Sequence, residues 1–159
     1  MRLQSTFAFN LDVKYLQTGA QQGLKLGVDE AAGIFEAEAK NLVPVDTGNL
    51  QSHIHTEVLT DAPTTQERVV SPVVPASAAD GDWHGFEPPY ARRIEFGFIG
   101  QDSMGRNYHQ PAQPYMRPAF DTKQAEAKQA IKDNVYSELD AAMAKVSQRR
   151  SAGRGKGQG

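Results

Sequence analysis

The tripeptide Asp46-Thr47-Gly48 is the part of the sequence that comes closest to an enzyme motif. Aspartic proteases place such a tripeptide at their catalytic turn, where two aspartates share one proton because both cannot ionise at close range. The chain contains the tripeptide once, so a protease of this kind would have to act as a homodimer. A homodimeric aspartic protease is therefore the alternative function that the sequence leaves open.

The residues around the tripeptide favour a structural turn. Pro44 stops the preceding helical pattern because a proline cannot continue a helix. Asp46 can accept a hydrogen bond from the backbone N–H two residues on, and Gly48 adopts a positive φ at no steric cost. The following His53 and His55 are more polar than a buried catalytic strand allows. We predict a turn from helix into strand, without a catalytic role for Asp46.

Other reactive side chains lack the partners that their chemistry needs. His53 and His55 share one face of a predicted strand, a spacing found in some zinc sites, but no third ligand is evident. Glu95 is a lone carboxylate on another predicted strand. The chain has no cysteine, and it has no phosphate-binding glycine loop or nucleophile elbow. The sequence therefore predicts a protein that is not an enzyme and that holds no cofactor or metal.

Length and composition describe a polar chain of about one domain. Its 159 residues are 39% hydrophobic, and no apolar run approaches the ~18 residues that cross a bilayer, so no membrane contact is expected. Residues 145–159 hold five cations and no acid, which leaves the rest of the chain acidic. An acidic body argues against a dedicated nucleic-acid-binding domain.

Hydrophobic periodicity predicts a strand, a long helix, three strands and a closing helix. Strands are predicted over residues 3–9, 51–60, 66–74 and 90–99, with long loops over 74–89 and 100–114. The first helix should run from Asn10 to about Leu42, and the capping-box pair Asp121 and Gln124 marks the start of the last one. This order predicts an α+β fold, a small and mostly antiparallel sheet of about four strands packed by two long helices.

Three glycines recur every four residues along the first long helix, at Gly19, Gly23 and Gly27. Each weakens a helix by up to ~1 kcal/mol, so three in register need a reason. Two interpretations stay open. The first half of the helix is frayed, or a second backbone approaches it closely, from the same subunit or from a neighbouring one.

The end of the chain differs in composition from the body. Residues 1–146 are predicted to form a single domain, and residues 147–159 a basic arm rich in glycine and arginine. The arm has too little apolar surface to order by itself. Its cations are Arg149, Arg150, Arg154 and Lys156.

Three segments together resemble the neck or tail-completion protein family of long-tailed bacteriophages. They are AKNLVPVDTGNLQSHI (39–54), YARRIEFG (90–97) and QPYMRPAF (113–120), in this order along the chain. The resemblance extends over roughly residues 25–146. The matching positions are Pro44, Val45, Asp46, Thr47, Gly48 and Leu50, then Tyr90, Ala91, Glu95 and Gly97, then Pro114, Tyr115, Met116, Arg117, Pro118 and Ala119.

The resemblance implies a structural virion protein at the head–tail junction, made and assembled in the bacterial host cytoplasm. It implies a homo-oligomeric ring, with a hexamer expected, that binds other neck and tail proteins. A tail-terminator ring subunit is an alternative within the same class. The basic arm is expected to bind a neighbouring ring protein, with incidental contact to DNA in the channel.

The resemblance also gives the motif residues structural roles. Under this resemblance, too, the turn at Asp46 is expected to be structural and not catalytic. Glu95 is expected to pair with the side chain of Arg117 or Arg93. Pro118 is expected to start the last helix, because proline suits the first helical turn.

Overall fold

Two long helices and four short strands make up the described part of the chain. The computed structural model describes residues 2–72, 89–101 and 104–154, with side chains for residues 13–72, 91–101 and 104–152. Its elements are α1 (Arg2–Leu42), α2 (Asn49–His53), β1 (Ile54–Ala62), β2 (Thr65–Pro72), α3 (Pro89–Phe96), β3 (Phe98–Gln101), β4 (Asn107–Gln110) and α4 (Met116–Arg154).

The predicted α+β class is confirmed, and the four strands are divided between two sheets. β1 pairs with β2, and β3 pairs with β4, each as an antiparallel two-stranded sheet. In the second sheet Phe98 faces Gln110 and Gln101 faces Asn107. The loop predicted over residues 74–89 lies outside the described residues, except for residue 89, which begins α3.

The first helix is longer than predicted. It begins at Arg2, so the strand predicted over residues 3–9 is wrong. No glycine or proline interrupts the chain before Gly19, and extending an existing helix costs less than starting a new element. The helix ends at Leu42 as predicted, because Pro44 follows and cannot donate to the helix. The N–H of Val43 still donates to the carbonyl of Ala39, at 3.0 Å.

The strand predicted over residues 51–60 begins later than expected. Residues 49–53 form the short helix α2, and β1 starts only at Ile54. Gly48 precedes α2 with a φ of 78°, which confirms the positive φ predicted for it. Its carbonyl accepts the N–H of Ser52 at 3.0 Å, a helical i to i+4 bond that the strand pattern did not indicate.

The strand predicted over residues 90–99 is mostly the helix α3. Pro89 begins this helix, a position that suits a residue without an N–H. Ala91 and Glu95 are both buried, and their spacing of four residues belongs to one helical face rather than to a strand. Gly97 ends the helix with a φ of 77°, and only the short β3 follows. The predicted loop over residues 100–114 contains β4.

The glycines of α1 lie directly against the backbone of α4. A Cβ built on Gly23 would lie 2.6 Å from Cα of Val135. A Cβ built on Gly27 would lie 2.7 Å from Cα of Ile131. Residues later in α1 contact residues earlier in α4, so the two helices run antiparallel. Close approach, within the same chain, is therefore the correct interpretation of the stripe that also includes Gly19.

The last helix extends beyond both of its predicted ends. Asp121 and Gln124 lie inside α4 instead of capping it, because a side chain distant in sequence caps the helix five residues earlier. The helix continues to Arg154, so the disorder predicted from residue 147 is wrong up to that point. The guanidinium of Arg149 lies 5.0 Å from the ring centroid of Tyr15 and donates to its hydroxyl. Residues 155–159 are outside the described part.

The chain forms two compact units. The first contains α1 up to Ala31, the Thr60–Glu67 end of the β1–β2 ribbon and α4 from Lys128 onwards. The second contains Ala32–Leu59 and Arg68–Ala127.

Small residues and a few polar bonds hold the first unit together. Ala31, Ala130 and Ala142 are buried there. The amide of Asn134 donates to the carboxylate of Glu30 at 2.6 Å, which links α4 to α1. Small side chains suit this pair of helices because their backbones are already in contact.

Seven hydrophobic residues form the buried core of the second unit. They come from α1, α2, β1, α3 and the start of α4, and Tyr115 and Ile54 are the largest fully buried side chains. The seven are Ala39, Val43, Leu50, Ile54, Ala91, Tyr115 and Ala119. Partly buried Val70, Ile94 and Met116 pack against them.

Glu36 connects α1 to β1 inside the second unit. Its carboxylate accepts hydrogen bonds from the Thr56 hydroxyl at 2.8 Å and from the Lys40 ammonium at 2.7 Å. Partial burial alone would raise the pKa of Glu36, but the bonds from Lys40 and Thr56 outweigh burial and lower it below the ordinary value. The ionised form of Glu36 therefore stabilises the folded chain.

The chain should be more stable with glycine at position 23 than with alanine, although alanine has the higher helix propensity. Gly23→Ala should lower the free energy of unfolding by roughly 1–3 kcal/mol, because its Cβ meets backbone atoms that cannot rotate away. Gly33→Ala is the matched control on the same helix. A Cβ there meets nothing within 4 Å, so alanine should stabilise by up to ~1 kcal/mol. Urea unfolding of both variants measures these changes. Equal effects at the two sites would contradict the close contact between the backbones of α1 and α4.

Glu36 should contribute stability only while it is ionised. Its pKa is lowered on folding, so the contribution is complete above the unfolded value near 4.5 and is lost as the pH falls through the folded value. Thermal unfolding of the wild type and of Glu36→Gln, followed from pH 7 downwards, checks this. The advantage of the wild type should shrink below about pH 4.5. If the difference in stability between the wild type and Glu36→Gln stays constant over the acid range, the charge of Glu36 does not contribute to it.

Candidate functional site

The tripeptide Asp46-Thr47-Gly48 lies in the bend between α1 and α2. Asp46 was predicted to accept a backbone hydrogen bond in this bend, but Thr47 is the acceptor. The N–H of Asn49 donates to the Thr47 hydroxyl at 3.4 Å. The Asp46 side chain is exposed. The bend is therefore a structural turn, and its side-chain hydrogen bond comes from Thr47 and not from Asp46.

A recess of about 270 Å³ surrounds this bend. Pro44 and Leu50 line it together with Ile94 of α3, and Asp46 is the one carboxylate among the described residues that do so. The catalytic turn of an aspartic protease needs a pair of carboxylates at close range. Here the tripeptide leads directly into the helix α2.

The two histidines lie on different elements. His53 ends α2 and His55 belongs to β1, so they do not share a strand face as predicted. Nδ1 of His55 lies 2.8 Å from the carbonyl oxygen of His53, and its Nε2 lies 3.2 Å from Glu57. Over the described residues, no three side chains of the usual metal-binding types are grouped together.

Glu95 is a buried carboxylate that accepts three backbone hydrogen bonds at the start of α4. Oε2 accepts the N–H groups of Tyr115 at 2.7 Å and Met116 at 3.0 Å, and Oε1 accepts that of Arg117 at 3.2 Å. The first N–H groups of a helix have no partner within it, and the helix dipole favours an anion at this end. With only 9% of its surface exposed, Glu95 is a helix cap supplied by another element.

This cap replaces the ion pair that was predicted for Glu95. Arg117 contributes its backbone N–H, while its side chain is exposed. The guanidinium of Arg93 lies 4.4 Å from the ring centroid of Phe98 instead. The prediction failed because it placed Glu95 on a strand, whereas the helix α3 turns the carboxylate inward. Pro118 was expected to start α4, but the helix begins at Met116. Pro118 still lies in the first turn, where its missing N–H costs nothing.

The three segments that carried the family resemblance meet in the core of the second unit. The first contributes Ala39, Val43, Leu50 and Ile54, the second Ala91, and the third Tyr115 and Ala119. The N–H of Gln113 also donates to the carbonyl of Ile94 at 2.7 Å, which joins the second segment to the third. Segments that are distant in sequence therefore form one packed cluster.

Gly97 connects α3 to β3 where the chain has room for nothing larger. Its φ is 77°, and a Cβ there would lie 3.0 Å from both the carbonyl oxygen of Gln110 and the nitrogen of Ala112. The positive φ and the close backbone together explain why the segment ends in glycine.

The other predicted site residues lie outside this cluster. Pro114 is exposed before α4, and Arg149 and Arg150 are exposed near its end. Tyr90 belongs to α3 and Arg154 ends α4, but the side chains of both are outside the described set, as is all of Lys156.

Two open recesses, each of about 510 Å³, adjoin the Glu95 cap. Val70, Tyr115 and Phe120 line the first, and Arg117 and Phe96 border both. The Phe96 side chain is 65% exposed. The described lining is mostly apolar, with Arg117 at the rim of both recesses and Asp121 in the second. Such a surface can hold an apolar side chain.

Comparison with known proteins adds no further assignment. No protein-family model, curated protein or solved structure matches the chain. None of the helices in the described ranges has an apolar stretch that could cross a membrane.

The Glu95 carboxylate should be the most sensitive polar group in the second unit. Glu95→Ala leaves three N–H groups without their acceptor, which should cost roughly 2–4 kcal/mol of unfolding free energy. Glu95→Gln keeps one acceptor oxygen and should cost about half as much. Asp121→Asn is the control, since it changes an exposed carboxylate in the second turn of α4, the helix that Glu95 caps, and should leave the urea midpoint nearly unchanged. Equal losses for Glu95→Ala and Asp121→Asn would refute the cap.

Proposed function

We propose that this chain is a structural subunit of the neck of a long-tailed bacteriophage, one of the proteins that complete the tail and join it to the head. The alternative within the same class is a tail-terminator ring subunit. The single observation that supports the proposal is the meeting of the three resembling segments in one core. A chance likeness has no reason to select residues that touch each other in the fold.

The bonding of the motif residues supports a role in assembly rather than in catalysis. Glu95 uses both carboxylate oxygens to hold backbone N–H groups, so they are already occupied. Gly48 and Gly97 have positive φ values at the ends of elements. Each of these features positions backbone, which is what a rigid ring subunit needs.

The homodimeric aspartic protease has weaker support. It would need two copies of Asp46 close together on tight turns between strands. The tripeptide here precedes a helix, and its carboxylate is exposed to solvent. No measured distance in the described part of the chain favours this reaction.

The basic end of α4 fits contact with the next component of the joint. Arg149 is held against Tyr15 by the ring contact, and the neighbouring Arg150 is exposed. We assign this end to an acidic surface of another neck or tail protein, with contact to channel DNA as an incidental effect. The virion site, the ring of six and these partners belong to the proposal.

Loss of the chain should leave heads and tails unjoined. A phage with a nonsense codon in this gene should assemble filled heads and tails that stay separate in electron micrographs. Wild-type protein supplied from a plasmid should restore joined particles, and Glu95→Ala should restore few because its core is destabilised.

Asp46→Asn separates assembly from proteolysis in the same experiment. Asparagine is similar in shape but cannot act as the acid, so this variant should restore infectious particles as well as the wild type does. Full rescue excludes the protease. A folded Asp46→Asn protein that restores nothing, together with peptide cleavage blocked by a transition-state inhibitor, would overturn the proposed function.

A further inference from the structure

Both small sheets have strand edges to which no other described strand is bonded. Within the described residues β1 pairs only with β2, and β3 only with β4. A two-stranded sheet is marginally stable alone, and its unpaired N–H and C=O groups can accept another strand. Pro72 at the end of β2 removes a donor from that edge. The edge of β1 is therefore the better one for pairing in the β1–β2 ribbon.

Large apolar side chains are exposed on both sheets. Val58 and Leu59 of β1 are 60% and 62% exposed. Ile99 of β3 is 80% exposed, and Tyr108 of β4 is about half exposed. Val58 and Leu59 are consecutive residues of β1 and point to opposite faces, as do Ile99 and Tyr108 of the other sheet. A strand added at the edge of either sheet could therefore cover apolar side chains on both faces.

The two sheets differ in charge. The β1–β2 ribbon carries Glu57, Asp61 and Glu67 against one arginine, Arg68. Asp61 is paired with Lys25 of α1, so the ribbon is weakly acidic.

The other sheet is basic together with α3. Residues 89–110 contain Arg92, Arg93 and Arg106 against Asp102, and their remaining carboxylate, Glu95, is buried in the cap. The strands β3 and β4 contain no Asp, Glu, Lys or Arg themselves, but the arginines beside them are complementary in charge to the acidic β1–β2 ribbon of a second copy.

We propose that β1 of one copy pairs with β3 of the next, so that the β1–β2 ribbon and the β3–β4 sheet form one four-stranded sheet across the interface. The occupant of each open edge is thus a second copy of this chain. The two surfaces are different, so the contact is head-to-tail, and head-to-tail contacts close into rings when the rotation between copies allows it. This inference rests on the proposed ring function and names the surfaces that form the ring.

Cysteine cross-linking tests the contact directly, because the chain has no cysteine of its own. One preparation carries Ile99→Cys and a size tag, and an untagged preparation carries Leu59→Cys, with Val58→Cys as a second version for the neighbouring register. After mixing and mild oxidation, a disulfide forms only where the Cα atoms come within about 4.4–6.8 Å of each other. Tyr136→Cys is the matched control, since Tyr136 is 64% exposed on α4.

We expect the tagged Ile99→Cys chain to cross-link to Leu59→Cys or Val58→Cys at least about tenfold more than to Tyr136→Cys. Cross-links between identical chains only, or equal yields with Tyr136→Cys, would overturn the proposed contact. If light scattering shows wild-type rings but no such cross-link forms, the ring stands and these surfaces are wrong. A wild-type chain that stays monomeric at all concentrations contradicts both the interface and the proposed ring.

A charge at Ile99 provides a second, independent measurement. Ile99→Glu should weaken ring formation about tenfold or more, because it removes an apolar side chain and places a carboxylate against the acidic β1–β2 ribbon. The melting temperature of the monomer should be unchanged, since the side chain is exposed in the isolated chain. Tyr136→Glu should leave both properties unchanged. Rings of Ile99→Glu at wild-type concentration would refute the pairing.

Discussion

The second unit depends on one interaction, the bonds between the Glu95 carboxylate and the first N–H groups of α4. A helix start needs acceptors, and the residues just before Met116 provide none, so α4 can begin there only when α3 is in place. The same contact brings Tyr115 into the core, where it is almost completely buried. One carboxylate thus sets the position of a helix, the burial of the largest core side chain and the orientation of α3.

The first unit depends on a different constraint: the glycines of α1 have no side chain where they face α4. Where Gly23 and Gly27 face α4, the two backbones touch, and little apolar side-chain surface separates them. Stability there comes from many close backbone contacts and from small buried residues such as Ala130. Such a seam is intolerant of added volume, whereas the core around Ile54 and Tyr115 uses large side chains in the ordinary way.

Most of the fold could be predicted from the sequence because long helices leave a long periodic signal. The end of α1 before Pro44 and the fold class follow from that signal. The errors lie where a local pattern is short. The segment Pro89–Phe96 is eight residues long, and its alternation fits a strand as well as a helix turn until Glu95 is seen to point inward. A cap twenty residues away along the chain leaves no local mark, so the start of α4 and the role of Glu95 could not be predicted.

The four-residue spacing of the glycines has a mechanical consequence. Four residues correspond to about 6 Å along a helix, close to one full turn. A displacement of α1 along α4 by that amount would bring Gly19 to the place of Gly23, but it would also bring Tyr15 to the place of Gly19. Even a Cβ there would lie 2.8 Å from the carbonyl oxygen of Glu138. The seam therefore fixes one register of the two helices, so an axial force on them would be transmitted rather than absorbed.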